Sequence, residues 1–385
     1  MQFCNMKKIT NLGIFTLLLV SSLTIMVGTV IAPSLTGIVE NLNFSFSPGW
    51  LITLPSLGVV VFAPIVGKLL HKTGSYTMLC LGLVPYALLG VAGAYITNDY
   101  ILMLDRFLLG AATVAVQVSV TSFIADFFTG EKRMKLIAWQ GMSIELGGVI
   151  FLSIGGILGQ WHWQYPFFIY LLAIVCWLLV IKTLFKTIKS DEVVAKQEKK
   201  ESKLAIKTIF YASLLSMVLF FVSFVTLPIY LPKSIGFTES YTGYFMAFIS
   251  VIAIITASQM PRAVKKIGDG KVVALGFLFF MLGYVTLAFF NSIPLLILSA
   301  VFIGTGFGFT IPLLNHMMIE VSAPKNLGKN LGLYSMGVFG GQFLSTFIEY
   351  ISTNYAVVYT VAALLALVIG IVLYYAFKKI EEHNQ

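Results

Sequence analysis

Runs of about 20 mainly apolar residues recur a dozen times along this chain, and no other feature limits its fold as strongly. A run of that length crosses a bilayer as one helix. A soluble domain carries roughly 25% charged residues, and this chain of 385 has 11%, against 58% hydrophobic. The composition therefore points to an all-α membrane protein and away from a soluble enzyme. No Ser/His/Asp or metal-ligand cluster is evident. Cys4, Cys80 and Cys176 lie far apart, so they read as small apolar residues with no metal spacing and no disulfide framework.

The runs predict twelve transmembrane helices at 10–38, 49–70, 76–97, 100–127, 135–158, 164–185, 208–232, 241–261, 272–290, 293–318, 328–353 and 356–377. Lys7 and Lys8 before the first run resemble a signal peptide. The run's length, and the spans behind it, favour a retained helix. Of 25 Lys and Arg, all but Arg106 and Lys233 fall at the termini, in the even-numbered loops or at adjoining helix ends. Basic loops stay cytoplasmic. Both termini are thus expected in the cytoplasm of a multi-pass protein of the cell (inner or plasma) membrane. The net charge of +9 then reads as a topology signal, with no nucleic-acid partner expected.

Residues 186–207 form the one long polar stretch and read as a cytoplasmic linker between a six-helix bundle at 1–185 and another at 208–385. The halves match at an offset near 194. Gly74 pairs with Gly268, Gly110 with Gly304 and Asp126 with Glu320, while Leu146-Gly147-Gly148 resembles Phe339-Gly340-Gly341 one residue off. Matches at equivalent helix ends argue for duplication into two pseudo-symmetric bundles. One known transporter plan of that kind holds its substrate between the halves.

Several motifs resemble those of the major facilitator superfamily, most closely its twelve-helix drug:proton antiporters. Gly67-Lys68-Leu69-Leu70-His71-Lys72-Thr73-Gly74 is similar to the loop G-x-L-x-D-x-x-G, with His71 in place of Asp. Arg106 to Gly110 is similar to the family's Arg-x-x-x-Gly. Gly147 with Gly155-Gly156 is similar to G-x-x-x-G-P-x-x-G-G, with Phe151 and Leu152 replacing Gly-Pro. The resemblance implies alternating access by two rocking halves around a cavity lined by helices 1, 4, 7 and 10.

No phosphate-binding loop is present, so an ion gradient is the expected energy source and no cofactor is expected. Ionisable groups at membrane depth then become the candidates. Arg106, Gly110, Thr113, Gln117 and Thr121 share one face of helix 4. They read as a substrate-binding cavity wall with Arg106 projecting into it, or as polar glue between helices. By the repeat, Phe307 and Ile311 would form an apolar wall opposite, with Asn315 at its end. Such walls suit an amphipathic solute with anionic or acceptor groups near Arg106.

Asp105, Arg106 and Glu145 are the proton-coupling candidates. Adjacent residues on a helix do not face each other, so Asp105 need not be the main partner of Arg106. Glu145 shares a face with Gly141, Gly148, Gly156 and Gly159, which also fits a close-packing role. His316, near Glu320, reads as exposed or structural. Lys72 with Asp126, and Lys266 with Glu320, are expected to form two related gating ion pairs. Trp139, Tyr230, Tyr241, Tyr244 and Tyr334 read as interface belts or packing, or as stacking surfaces.

The expected function is export of a small amphipathic organic solute (drug-like compound, metabolite or metallophore) by proton antiport. The alternatives are proton-coupled uptake of a small nutrient, and a non-transporting membrane sensor. The expected partners are the small-molecule substrate, protons and the lipid bilayer, with the chain acting as a monomer.

Overall fold

The computed structural model describes residues 9–128, 130–185, 201–323 and 326–384. Among them, twelve helices are long and apolar enough to cross a membrane. They are α1 Asn11–Leu42, α2 Trp50–Thr73, α3 Ser75–Ala92, α4 Asp99–Phe127, α5 Lys135–Trp161 and α6 Tyr165–Thr183. The second set is α7 Lys203–Ile235, α8 Glu239–Ile267, α9 Asp269–Phe289, α10 Ile293–Val321, α11 Leu327–Glu349 and α12 Tyr355–Glu382.

Most of the expected linker, residues 186–200, lies outside the described residues. Its end differs from expectation, because α7 begins at Lys203 within the stretch read as linker. Ser202 caps it, accepting a hydrogen bond from the Ala205 amide at 3.3 Å, so the helix can run on into polar sequence. α1 is interrupted by a 3-10 turn at Ala32–Ser34, where Pro33 supplies no amide hydrogen.

The duplication is visible in the packing. In the first half α2 and α3 pack on α4, and α1 on α5; in the second α8 and α9 pack on α10, and α7 on α11. Gly74 and Gly268 turn the chain between equivalent helices with φ of 81° and 86°, a conformation that favours glycine. A Cβ on Gly110 would collide with the Pro55 carbonyl, and one on Gly304 would meet the Ile249 carbonyl at 2.5 Å. Both members of the first contact recur 194 positions later, at the offset read from the sequence.

The halves meet along two seams, α5 with α8 and α2 with α11. Each seam is tight at one end only. A Cβ on Gly156 would meet the Gly243 Cα at 3.1 Å, and one on Gly243 the Leu152 carbonyl at 2.5 Å. Phe151 and Leu152, where the motif has Gly-Pro, are buried at this crossing. On the other seam Ser56 donates to Gln342 Oε1 at 2.6 Å and Thr53 bonds Thr346 at 2.6 Å. Further out, Trp50 Nε1 donates to the Tyr350 hydroxyl at 2.7 Å and Ser47 to Glu349 at 2.5 Å. Toward the opposite end Gly67, Gly141, Gly328 and Gly332 face open space. That end carries Lys68, Lys72, Lys265 and Lys266. The halves thus form a wedge, shut at one end and parted at the basic end.

Candidate functional site

A cavity lies inside the wedge, between the halves. It holds about 1050 Å³ of empty space, counting its open mouth. Helices α1, α2, α4, α5, α7, α8, α10 and α11 all reach its wall.

The two halves contribute different chemistry. From the second half come Phe220, Phe221 and Phe224 of α7 and Phe307 of α10. The Phe220 and Phe307 rings are 4.3 Å apart, and Phe221 and Phe224 stack at 5.2 Å. From the first half come Gln117 of α4 and Glu145 of α5. Glu145 is the one charged residue on this wall. It is half-buried, and no described residue donates a hydrogen bond to its carboxyl group. A carboxyl group among apolar walls has two low-cost forms, protonated or paired with a cation. Among the described residues no group of three His, Cys, Asp or Glu gathers to hold a metal ion.

The glycine face that Glu145 shares is divided along its length. Gly156 and Gly159 are pressed against the other half or α1, whereas Gly141 meets nothing within 4 Å. Glu145 therefore sits where the seam begins to part, which close packing alone would not require.

Arg106 is elsewhere, and its expected placement is corrected. Its side chain is fully buried inside the first half. Nε and Nη2 donate to Asp105 Oδ2 at 2.9 and 2.6 Å, and Nη2 also donates to the Leu89 carbonyl at 2.6 Å. The rings of Phe167 and Tyr170 flank the guanidinium at 5.5 and 5.7 Å. Asp105 is its main partner after all, with two of its donors on the same carboxylate oxygen. The polar stripe on α4 is real, but at the level of Arg106 the space is filled by α3 and α6.

The other expected wall residues divide similarly. Thr113 is buried and donates to the Leu109 carbonyl of its own helix at 2.8 Å. Thr121 bonds Gln140, and half-buried Asn315 lies off the wall, so of the binding candidates only Gln117 reaches the cavity. The opposing residues Phe307 and Ile311 are where the repeat placed them.

The expected gating pairs do not form in this state. Asp126 accepts from Ser75 at 2.9 Å in place of Lys72. Glu320 lies 3.3 Å from His316, one turn along the exposed face of α10, and does not pair with Lys266. Each expected pair lies within one half, so the parting of the halves is not what separates it; a nearer neighbour, Ser75 or His316, takes the place of the lysine beside each carboxylate.

Sequence reasoning missed the α7 phenylalanines and the Ser56–Gln342 contact. The cluster Phe220-Phe221-x-x-Phe224 carries no polar or charged residue that would set it apart from the other apolar helix faces. Tyr334 also lines the cavity, its hydroxyl donating to the Ile311 carbonyl at 2.9 Å. Trp139, Tyr241 and Tyr244 are exposed on the outer surface, as a lipid-facing belt would be.

Comparison with known proteins converges on one family. The sequence model of the Major Facilitator Superfamily matches residues 17–345 and again 209–385. The chain is 28% identical to the class B tetracycline resistance protein of Escherichia coli, over 70% of each chain. It is 24% identical to multidrug resistance protein 1 of Bacillus subtilis (strain 168), over 97% of each. Among solved structures, the nucleoside transporter NupG superposes with a TM-score of 0.75 at 16% identity, covering 95% of this chain and 100% of that one. A peptide transporter, POT, gives 0.76 at 14% identity, covering 96% and 94%.

Proposed function

The chain belongs to the Major Facilitator Superfamily, and on that premise we propose that it exports a small amphipathic organic solute in exchange for protons. It is a multi-pass membrane transporter and no enzyme. The observation that carries the proposal is the single carboxyl group, Glu145, on an otherwise uncharged and largely apolar wall. The relatives named for tetracycline and multidrug resistance support efflux as the direction.

In this reading the solute's apolar body lies against Phe220, Phe221, Phe224 and Phe307, and Gln117 offers hydrogen bonds. Glu145 takes either a proton or a basic group of the solute, never both. That competition links outward solute movement to inward proton movement. With Arg106 inside the first half, the wall favours cationic or neutral solutes over the anionic ones expected from sequence.

The excess of Lys and Arg at the parted end supports placing that end in the cytoplasm. The wedge then faces inward, both termini are cytoplasmic, and the two halves, α1–α6 and α7–α12, rock about the cavity as two domains. A single chain encloses the whole cavity, which supports a monomer as the working unit.

Purified protein in vesicles of known orientation, with an imposed pH gradient, tests the proposal. Solute should leave the compartment facing the basic end only when protons can enter it. Glu145→Gln should abolish the dependence on the gradient while leaving exchange down a solute gradient. Flux with the protons, in the same direction, would establish uptake instead, and no gradient-dependent flux of any solute would sink both.

A further inference from the structure

Two carboxyl groups of the second half reach across the shut end of the wedge, and they do so in different settings. Glu349, at the end of α11, receives the Ser47 hydroxyl at 2.5 Å. It also borders a surface recess lined by Ser47, Tyr350, Ser352 and Tyr355. Neither of its oxygens is both buried and without a partner.

Glu239, the first residue of α8, keeps one oxygen without a partner, although the Gly37 backbone N–H and the Ser34 hydroxyl lie against its carboxyl group. Its side chain lies in a slot between Gly37 of α1 and Gly159 of α5. A Cβ on Gly37 would collide with Glu239 Oε1, and one on Gly159 with Glu239 Oε2 and Ser34 Oγ. Oε2 is fully buried and has no hydrogen-bond partner. The neighbouring Ser34 hydroxyl is already committed, donating to the Gly155 carbonyl at 3.0 Å. The charged neighbour on α1 is Glu40, a second anion. Among the described residues no Lys, Arg or His of α1, α5, α7 or α8 forms an ion pair with Glu239. A buried, unpaired acceptor costs about 1–3 kcal/mol, and more when charged. A proton removes that cost, because the O–H can donate to the Ser34 oxygen, which retains a free lone pair.

We propose that Glu239 is a proton-binding site of the closed outer gate, occupied while the gate is shut and emptied as it opens. The site is separate from Glu145 and rests only on the alternating-access part of the reading above. Closing α8 onto the Gly37–Gly159 slot strips water from the carboxyl group, so closure takes up a proton and opening releases it. Acid on the outer side then favours the shut gate. Glu349, with no oxygen left buried and unpartnered, contributes to closure through its Ser47 bond.

Spin labels at exposed Thr97 and Ser292, in outer loops of the two halves, report gate opening in reconstituted full-length protein as pH is varied. In the parent the closed fraction should fall as pH rises, by up to tenfold in the closed-to-open ratio per pH unit. Glu239→Gln, which mimics the neutral acid, should stay closed across the range, and Glu349→Gln should keep the parent's dependence on pH. Gly159→Ala should hold the gate open at every pH by filling the slot. In infrared spectra a protonated-carboxyl C=O band of the closed state should vanish in Glu239→Gln. An unaltered pH response in Glu239→Gln, with no band lost, overturns the proposal. A distance fixed under all conditions in the parent would instead count against alternating access itself.

Discussion

Ser56 of α2 donates its hydroxyl to Gln342 of α11 at 2.6 Å, and this bond is both the floor of the cavity and the innermost rung of the shut seam. Above it, Thr53–Thr346, Trp50–Tyr350 and Ser47–Glu349 continue the contact at about one rung per helical turn of α2.

Each rung should bias the equilibrium between shut and open ends. A buried hydrogen bond contributes roughly 0.5–1.5 kcal/mol net. Ser56→Ala or Thr53→Val should thus raise the open-to-shut ratio about two- to tenfold, read as labelling of a cysteine placed above the cavity by a reagent added on the shut side. Unchanged labelling in the double variant would show that the rungs form without holding the gate.

Arg106 should matter for folding more than for affinity. Removing one partner of a buried ion pair costs about 3–5 kcal/mol, and here Nη1 is already without a partner. Arg106→Ala should markedly lower the melting temperature in detergent, and Asp105→Asn in the same chain should recover part of the loss. Any fraction that folds should bind solute with near-parental affinity. A large loss of affinity in stably folded Arg106→Ala would return this residue to the binding site.

The phenylalanine wall should set affinity for flat or aromatic solutes. Contacts between rings add about 0.5–1.5 kcal/mol beyond the area buried. Phe224→Ala or Phe307→Ala should weaken binding of such solutes roughly tenfold, and Phe307→Leu should restore some of it for aliphatic ones. Equal loss for every solute would point to collapse of the wall.

Gly155 tests the packing of α5 on α1. A Cβ there would collide with the carbonyl oxygen of Val30. Gly155→Ala should destabilise the first half by about 1–3 kcal/mol, as overpacking does. Gly141→Ala on the same helix meets open space and should cost nothing, or stabilise by up to about 1 kcal/mol. Thermal melts of the two variants side by side decide the matter.

The spans and the duplication were legible because each rests on a one-dimensional quantity. Apolar length selects helices, and a fixed offset links Gly110–Pro55 to Gly304–Ile249. The cavity was legible only in part, because helical spacing gives the face of a helix and not what stands opposite. Arg106 and Gln117 share a face of α4, yet the first meets α3 and α6 and the second meets open space. Glu145 was found by its rarity as a mid-span charge. The α7 phenylalanines had no such rarity among 32 in the chain. The expected ion pairs fail because Ser75 and His316 stand nearer to the carboxylates, and helical spacing does not rank competing partners.

The tight crossing of α5 at Gly156 makes that helix a lever whose charge rides near the fulcrum. At about 1.5 Å of rise per residue, Glu145 lies roughly 16 Å from the crossing and Lys135 roughly 31 Å. A swing of about 10° would carry the far tip some 5 Å while the carboxyl group travels about half as far. Wide opening at the mouth therefore asks little displacement of the group that exchanges protons. What alternates is the direction from which water arrives.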